Sequence, residues 1–346
     1  MEENQRIVCQ KTLNDFMGKP KEYWHKYNLA KTKEKLLFYE LLNELCLLIP
    51  EQKAQRGRPP IPLKDMVFMS ALKIYSNYSS RKIHYDLTQA EKAGYIKKAP
   101  HFNRLSDFLN CEFTYSLLLT LLTLTATPLK ELEDSYSLDS SGFGSYQYER
   151  WKRFRFSKDF SSRGSRNYLK GHICIGTRTN IICSCEVTYG NLSDVKQAPK
   201  LIKTLGNNFN PKEISADKGY SSYRLYQIIQ SISAIPFIAF KENANPGRYS
   251  PVIWRKMHAY FQNNKEDYLK HYHKRSNVES TFSMVKTRLG EFLKSKTYEA
   301  QRNELVMKFI VHNICCLVSE IFENDIHVDF RSELKTFIDD NKIFGQ

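Results

Sequence analysis

From residue 33 to residue 49, KEKLLFYELLNELCLLI repeats its apolar side chains at intervals of three and four, the period of a helix with one buried face. A second run, PLKDMVFMSALKIYSNY, opens on Pro62, close to where a helix start tolerates proline because the first N–H groups have no partner to lose. Between them QRGRPPIP breaks both patterns and predicts a linker. Its basic, extended RGRPP fits an arm laid along a DNA minor groove, and it also fits a plain interdomain connector. YSSRKIHYDLTQAEKAGY follows, with Ser79 or Ser80 placed to cap a helix, then a turn around Ala99 and Pro100, then HFNRLSDFLN. Two short helices joined by a turn and dotted with Arg and Lys make a candidate helix-turn-helix at about 79–110, although a plain helical packing unit has the same pattern.

From about residue 136 the period shortens. YSLDSSGFGSY, YLKGHICIGT, IICSCEVTYG, EISADKGY and IPFIAF are short, β-branched or aromatic runs bounded by Gly, Asn or Pro, and read as strands. VKQAPKLIKTL and SYRLYQIIQS fall between the later strands and have helical spacing. Three consecutive strands, then helix, strand, helix, strand, a polar segment and a long helix predict a mixed sheet with helices packed on it. The first three strands form an antiparallel meander and the later alternation forms the parallel part. The chain thus divides into a helical N-terminal region over 1–134, an α/β domain over 135–320 with a short polar and basic segment at 241–270, and a tail over 321–346.

Charge adds a partner to this picture. Lys and Arg number 52 against 37 Asp and Glu, a formal net charge of +15. Such an excess spread along the chain suits a polyanion, most simply nucleic acid, because each neutralised phosphate releases counterions. The eight cysteines include no CxxC pair and lie mostly in apolar runs, as buried free thiols do, which points to a reducing, cytoplasmic setting. The start, MEENQRIVCQK, lacks the basic opening and apolar core of a signal peptide. The apolar stretches at 36–49 and 117–127 are too short or too charged to span a bilayer, so no membrane association is expected.

The candidate chemistry lies in carboxylates. Asp139 in LDSSGF follows a strand-like run and precedes small residues, and Asp217 in EISADKGY stands at the end of another strand just before a turn. Either aspartate alone reads as a turn or cap residue. Divalent-metal chemistry on phosphates needs hard oxygen ligands converging from different elements, and two strand-end aspartates with one helix glutamate would supply them. That glutamate is Glu279, in HYHKRSNVESTFSMVKTRLG at 271–290. Read as one helix at 100° per residue, this stretch places Tyr272, Arg275, Glu279 and Lys286 within an arc of about 60°. Val278, Phe282, Val285 and Leu289 form an apolar stripe directly beside it. A solvated face with an Arg275–Glu279 pair has the same spacing. His271 and His273 lack a second Cys or His pair, and on a helix they point about 160° apart, so a zinc site is not expected.

Tyr272, Arg275, Glu279 and Lys286 reproduce Y-x2-R-x3-E-x6-K, and here the chain resembles the YREK-signature group of DDE transposases from bacterial and archaeal insertion sequences. LDSSGF and ISADKGY resemble that family's two aspartate strands. YLKGH is similar to its basic second strand, VTYGNLSDVKQAPKLI to the next strand, turn and helix, and LVMKFIVHNICCL to its terminal helix. The resemblance covers about 60–320. It implies an RNase H-like catalytic domain in which Asp139, Asp217 and Glu279 hold two Mg²⁺ or Mn²⁺ ions, with Tyr272, Arg275 and Lys286 on DNA phosphates. It also implies double-stranded DNA partners, namely the element's terminal inverted repeats and a target, and a homodimer that brings two ends together. The activity would be hydrolysis at the element's end followed by attack of the freed 3′-hydroxyl on target DNA. Two other readings keep the fold: a DNA-binding protein derived from a transposase without cleavage, and an RNase H-like nuclease without strand transfer. The segment at 241–270 is shorter than the β-rich insertion of some relatives. In relatives that cleave through a hairpin an inserted aromatic stacks on a flipped base, which makes Trp254 a DNA-contact candidate beside the simpler reading of a packing residue.

Overall fold

The computed structural model describes residues 21–51, 60–145, 168–241 and 244–332. The chain start, the linker through residue 59 and the tail from 333 onward, all of which carry expectations stated above, lie outside the described residues.

The helical region holds α1 (Lys21–Leu47), α2 (Leu63–Tyr75), α3 (His84–Lys92), α4 (Asn103–Asn110) and α5 (Phe113–Ala126). The apolar face read from the sequence is the buried one: Phe38, Leu41, Leu42 and Leu45 on α1 are all nearly or fully inaccessible. Each such side chain contributes about 1.5–3 kcal/mol on leaving water. Pro62 sits at the N-cap position of α2 with φ −53° and ψ 136°. Within the candidate helix-turn-helix at about 79–110, α3 ends on a glycine. Gly94 takes φ +81°, the Tyr95 N–H reaches the Ala90 carbonyl at 3.0 Å and the Gly94 N–H reaches the Glu91 carbonyl at 3.0 Å. This is a glycine-terminated C-cap. Residues 93–102 then separate α3 from α4, whereas a helix-turn-helix has a turn of three or four residues. That connector is fastened in place by Asp65, which accepts the Lys97 N–H at 2.9 Å, and by Glu91, which accepts the Ala99 N–H at 2.8 Å.

The α/β part follows the predicted order. The strands are β1 (Ser135–Ser145), β2 (Tyr168–Gly176), β3 (Ile182–Tyr189), β4 (Glu213–Ala216), β5 (Ile235–Ile238) and the two-residue β6 (Phe292–Leu293). Between β3 and β5 lie α6 (Ala198–Asn208) and α7 (Tyr223–Ser231). After β5 come α8 (Val252–Asn263), α9 (Lys265–Tyr272), a 3₁₀ turn over His273–Arg275, α10 (Ser276–Leu289) and α11 (Tyr298–Glu323). The sheet runs β3-β2-β1-β4-β5. The β1–β2 and β2–β3 pairs are antiparallel, and the β1–β4 and β4–β5 pairs are parallel. This is the RNase H-like arrangement implied by the resemblance.

On its β4 side, β1 is paired with β4 only through Leu138, opposite Ala216, and with β6 only from Gly144. Residues 139–143 therefore keep a strand partner on the β2 side alone. This gap opens at Asp139.

One apolar core runs from the helical region into the sheet, and α11 is its axis. By length and composition α11 could cross a membrane, but 72% of its apolar window is buried inside the fold. Asn313 shows how a polar side chain is used at depth on this helix. Asn313 accepts the Ile182 N–H at 2.9 Å and donates to the Ile182 carbonyl and Thr125 Oγ1, which ties α11 to the start of β3 and to α5. At Gly171 on β2 an added Cβ would lie 2.9 Å from Phe309 Cζ, so a larger residue there would displace the Phe309 ring of α11.

Candidate active site

Strand periodicity sets the first element of the site. Side chains two apart on a strand share a face, and Ser137, Asp139 and Ser141 all meet the 275–286 segment. Ser137 Oγ donates to the Arg275 carbonyl at 3.4 Å, Asp139 Oδ2 lies 3.7 Å from Arg275 Nη2, and Ser141 Oγ accepts from Lys286 Nζ at 2.8 Å. Asp217 follows β4, and because Ala216 is in register with Leu138, it emerges beside Asp139 across one inter-strand spacing of about 4.8 Å.

The third element is not the single helix read from the sequence. The 3₁₀ turn over His273–Arg275 separates α9, which ends at Tyr272, from α10, which carries Glu279 and Lys286. Tertiary bonds hold the break: His271 and Lys274 both bind Glu213 at the start of β4. Beyond it, Asn277 Nδ2 donates to the Thr177 carbonyl at 2.8 Å and Thr281 Oγ1 donates to Asn180 at 3.3 Å, which fixes α10 against the β2–β3 hairpin. The four residues still face one place. Val278, Phe282, Val285 and Leu289 are buried as the apolar stripe required.

At the centre stands Arg275. Its guanidinium is bonded to Glu279, lies 3.7 Å from Asp139 and has Nε 4.0 Å from Asp217. That Nε is buried and has no hydrogen-bond acceptor. Among the described residues no three His, Cys, Asp or Glu side chains are gathered as a ready-made metal cage; the three acids converge on a cation instead. The donor set consists of hard oxygens arriving from two strand ends and a helix, which fits Mg²⁺ or Mn²⁺.

Burial raises the Asp139 carboxyl above its ordinary value. The Ser140 N–H at 2.8 Å and the Arg275 charge pull it down, and Asp217 and Glu279 add to the rise. Tyr272 is likewise raised, first by burial, with a hydrogen bond to Asp217 contributing. Burial lowers Lys286, whose ammonium also sits over the Phe143 ring, 5.1 Å from its centre.

The family model described as "Transposase DDE domain" matches residues 133–314, more than half of the 346-residue chain. The chain belongs to this transposase family. No curated protein and no solved structure matches it. The matched span of the transposase begins just before β1 and ends within α11, so it takes in the sheet, the gap in β1 and all three acids.

Trp254, the remaining DNA-contact candidate, lies on α8. It is 4% exposed. It is stacked on His258 at 5.1 Å and set edge-on to Tyr223 and Phe240, each at 5.3 Å. A ring enclosed on these sides is placed as a packing residue is. His271 is bonded to Glu213 and stacked on Phe237.

Reading the sequence missed the supports of the site. Arg288 of α10 binds Glu34 of α1 beneath the Tyr75 ring, and Lys308 of α11 donates to the Gly290 and Phe292 carbonyls at 2.7 and 3.0 Å. The first contact joins residues 254 apart in the chain, and the second folds the end of α10 back onto α11. The usable local signal was the alternation of small polar residues around Asp139 in SLDSS, which marks one strand face left open to polar partners.

Proposed function

We propose that this transposase belongs to the YREK-signature group, that it binds insertion-sequence ends as a homodimer in the cytoplasm, and that it cuts and joins DNA with two Mg²⁺ or Mn²⁺ ions held by Asp139, Asp217 and Glu279. The observation that carries the reading is the convergence of all three acids on Arg275, because acids that far apart in sequence gather around a cation only where positive charge has a task. When bound, the two ions would polarise the attacking and leaving oxygens of an in-line displacement at phosphorus.

The chain's own residues do the rest. Asp139 and Asp217 come from adjacent strand positions and are rigidly spaced, while Glu279 is set by the bonds that anchor α10 to the β2–β3 hairpin. Arg275 offers a planar fork to a phosphate, and Lys286, held by Ser141, offers a point charge on the same side. Tyr272 presents a phenol whose raised pKa keeps it a proton donor to a phosphate oxygen. Water attacks first and frees the 3′-hydroxyl; that hydroxyl then occupies the attacking position against target DNA.

The test uses duplexes carrying the element's ends, Mg²⁺ and a target plasmid. Wild type is expected to nick and join, and Asp139→Asn, Asp217→Asn and Glu279→Gln to bind ends but do neither. Binding by wild type without nicking would establish the non-cutting DNA-binding protein, and nicking without joining would establish the nuclease.

A further inference from the structure

Arg275 is asked to do two things in one place. As a phosphate ligand it must point at DNA, yet its guanidinium lies among the three acids proposed to hold metal. We propose that Arg275 is a two-position side chain: in the free protein it is the resident cation of the Asp139–Asp217–Glu279 site, and divalent ions release it to a DNA phosphate, so that metal and DNA each promote the other's binding. This inference rests on the site reading above.

The geometry of the resident position is incomplete in a way that favours release. The guanidinium has five N–H donors. Its Nη2 serves Glu279 and lies 3.7 Å from Asp139, while Nε is 4.0 Å from Asp217, too far for a hydrogen bond, and is buried without an acceptor. One positive charge also faces three carboxylates, which repel one another unless more positive charge arrives. Metal ions supply that charge, and a phosphate takes two parallel N–H bonds from the fork at once.

The backbone is built so that the side chain moves alone. The Arg275 carbonyl is held by Ser137, the residue before it is tied to Glu213, and Asn277 is tied to Thr177. Lys286 does not share the conflict, because its ammonium is bonded to Ser141. Metal and Arg275 thus compete for the same oxygens while DNA competes with those oxygens for Arg275. Two ligands that favour the same displaced state of one side chain are positively coupled, and the coupling is reciprocal.

The experiment measures Mn²⁺ binding to the full-length, metal-free protein by paramagnetic resonance of the free ion. It is done with and without a short nonspecific duplex, and Asp139→Asn with the same duplex gives the background. Wild type is expected to bind Mn²⁺ more tightly with DNA present. Arg275→Gln is expected to bind Mn²⁺ about 5- to 150-fold more tightly than wild type without DNA, the usual range of such couplings, and to lose the effect of DNA. Arg275→Lys, which keeps the charge but not the fork, reads the same shift at reduced size should the glutamine variant not fold. Asp139-dependent Mn²⁺ binding that is equal in wild type and Arg275→Gln, or weaker in the variant, overturns the exchange and leaves the metal site standing. Absence of any Asp139-dependent Mn²⁺ binding overturns the site reading itself.

Discussion

The bond between Glu34 and Arg288 crosses from the helical region to the helix that carries Glu279, and its energy can be worked from its surroundings. The Glu34 side chain is 11% exposed and that of Arg288 33%. Glu34 also accepts from Tyr75 Oη at 3.1 Å and pairs with Lys31 at 3.3 Å, while Tyr75 is stacked on Phe38 at 4.0 Å. Removing one member of a fully buried pair costs about 3–5 kcal/mol, and an exposed pair is worth about 0–1 kcal/mol. With Arg288 one-third exposed and free to turn toward water, Glu34→Gln should cost about 2 kcal/mol. An unfolding entropy near 2.1 cal/mol/K per residue amounts to about 0.7 kcal/mol/K for a chain of 346 residues, so the melting point should fall by about 3 °C. The pH dependence has a defined sign. Burial raises Glu34, but the bond and charge of Arg288, with Lys31, outweigh it and leave the carboxyl below its ordinary value. A depressed acid contributes stability that is present above the unfolded pKa of 4.5 and lost as pH falls through the folded value. The gap between wild type and Glu34→Gln should therefore be full at pH 7 and close in acid. Thermal melts of wild type, Glu34→Gln, Arg288→Met and the double variant from pH 7 down to well below the unfolded value of 4.5 form the assay. Additive single losses, or a gap that widens in acid, would refute the reasoning.

Two further outcomes follow from burial. Trp254→Ala should cost about 3–5 kcal/mol, as large-to-small core changes do, while the folded protein keeps its affinity for element ends; an unchanged melting point with weakened DNA binding in gel-shift titrations would restore Trp254 to the interface. Lys308, lowered by burial to about 8 from 10.5, binds fewer protons folded than unfolded between those values. Wild type should thus gain stability relative to Lys308→Met as pH rises from 8 to 10.5, and a flat difference across that window in denaturant titrations would contradict the assignment.

Strand order was legible because it depends on local alternation: SLDSSGF, YLKGHICIG and ICSCEVTY each carry their own period, and the helices between later strands force the parallel crossovers. The end of α3 was also legible in KAGY, since Gly94 is the residue that tolerates φ +81°. The break at 273–275 was not legible. His273, Lys274 and Arg275 have no helix-breaking chemistry, and the partner that holds this 3₁₀ stretch is Glu213, sixty-one residues before Lys274. Trp254 was ambiguous for the same reason, because the rings that enclose it come from α7, the segment just after β5 and its own helix.

The break also explains why four residues on an imperfect helix still share a site. The i, i+4 bond from Arg275 to Glu279 is kept across the junction. Ending α9 at Tyr272 and starting α10 at Ser276 leaves Arg275 at the junction, where its carbonyl binds Ser137 and its side chain turns into the gap beside residues 139–143 of β1. Were β4 longer by a few residues, its ladder would close that gap and bury the Asp139 edge. The short β4, the two-residue β6 and the 3₁₀ turn therefore form one construction: a sheet edge left open beside the first acid, with the second acid at the end of the neighbouring strand and the third on a helix anchored from outside.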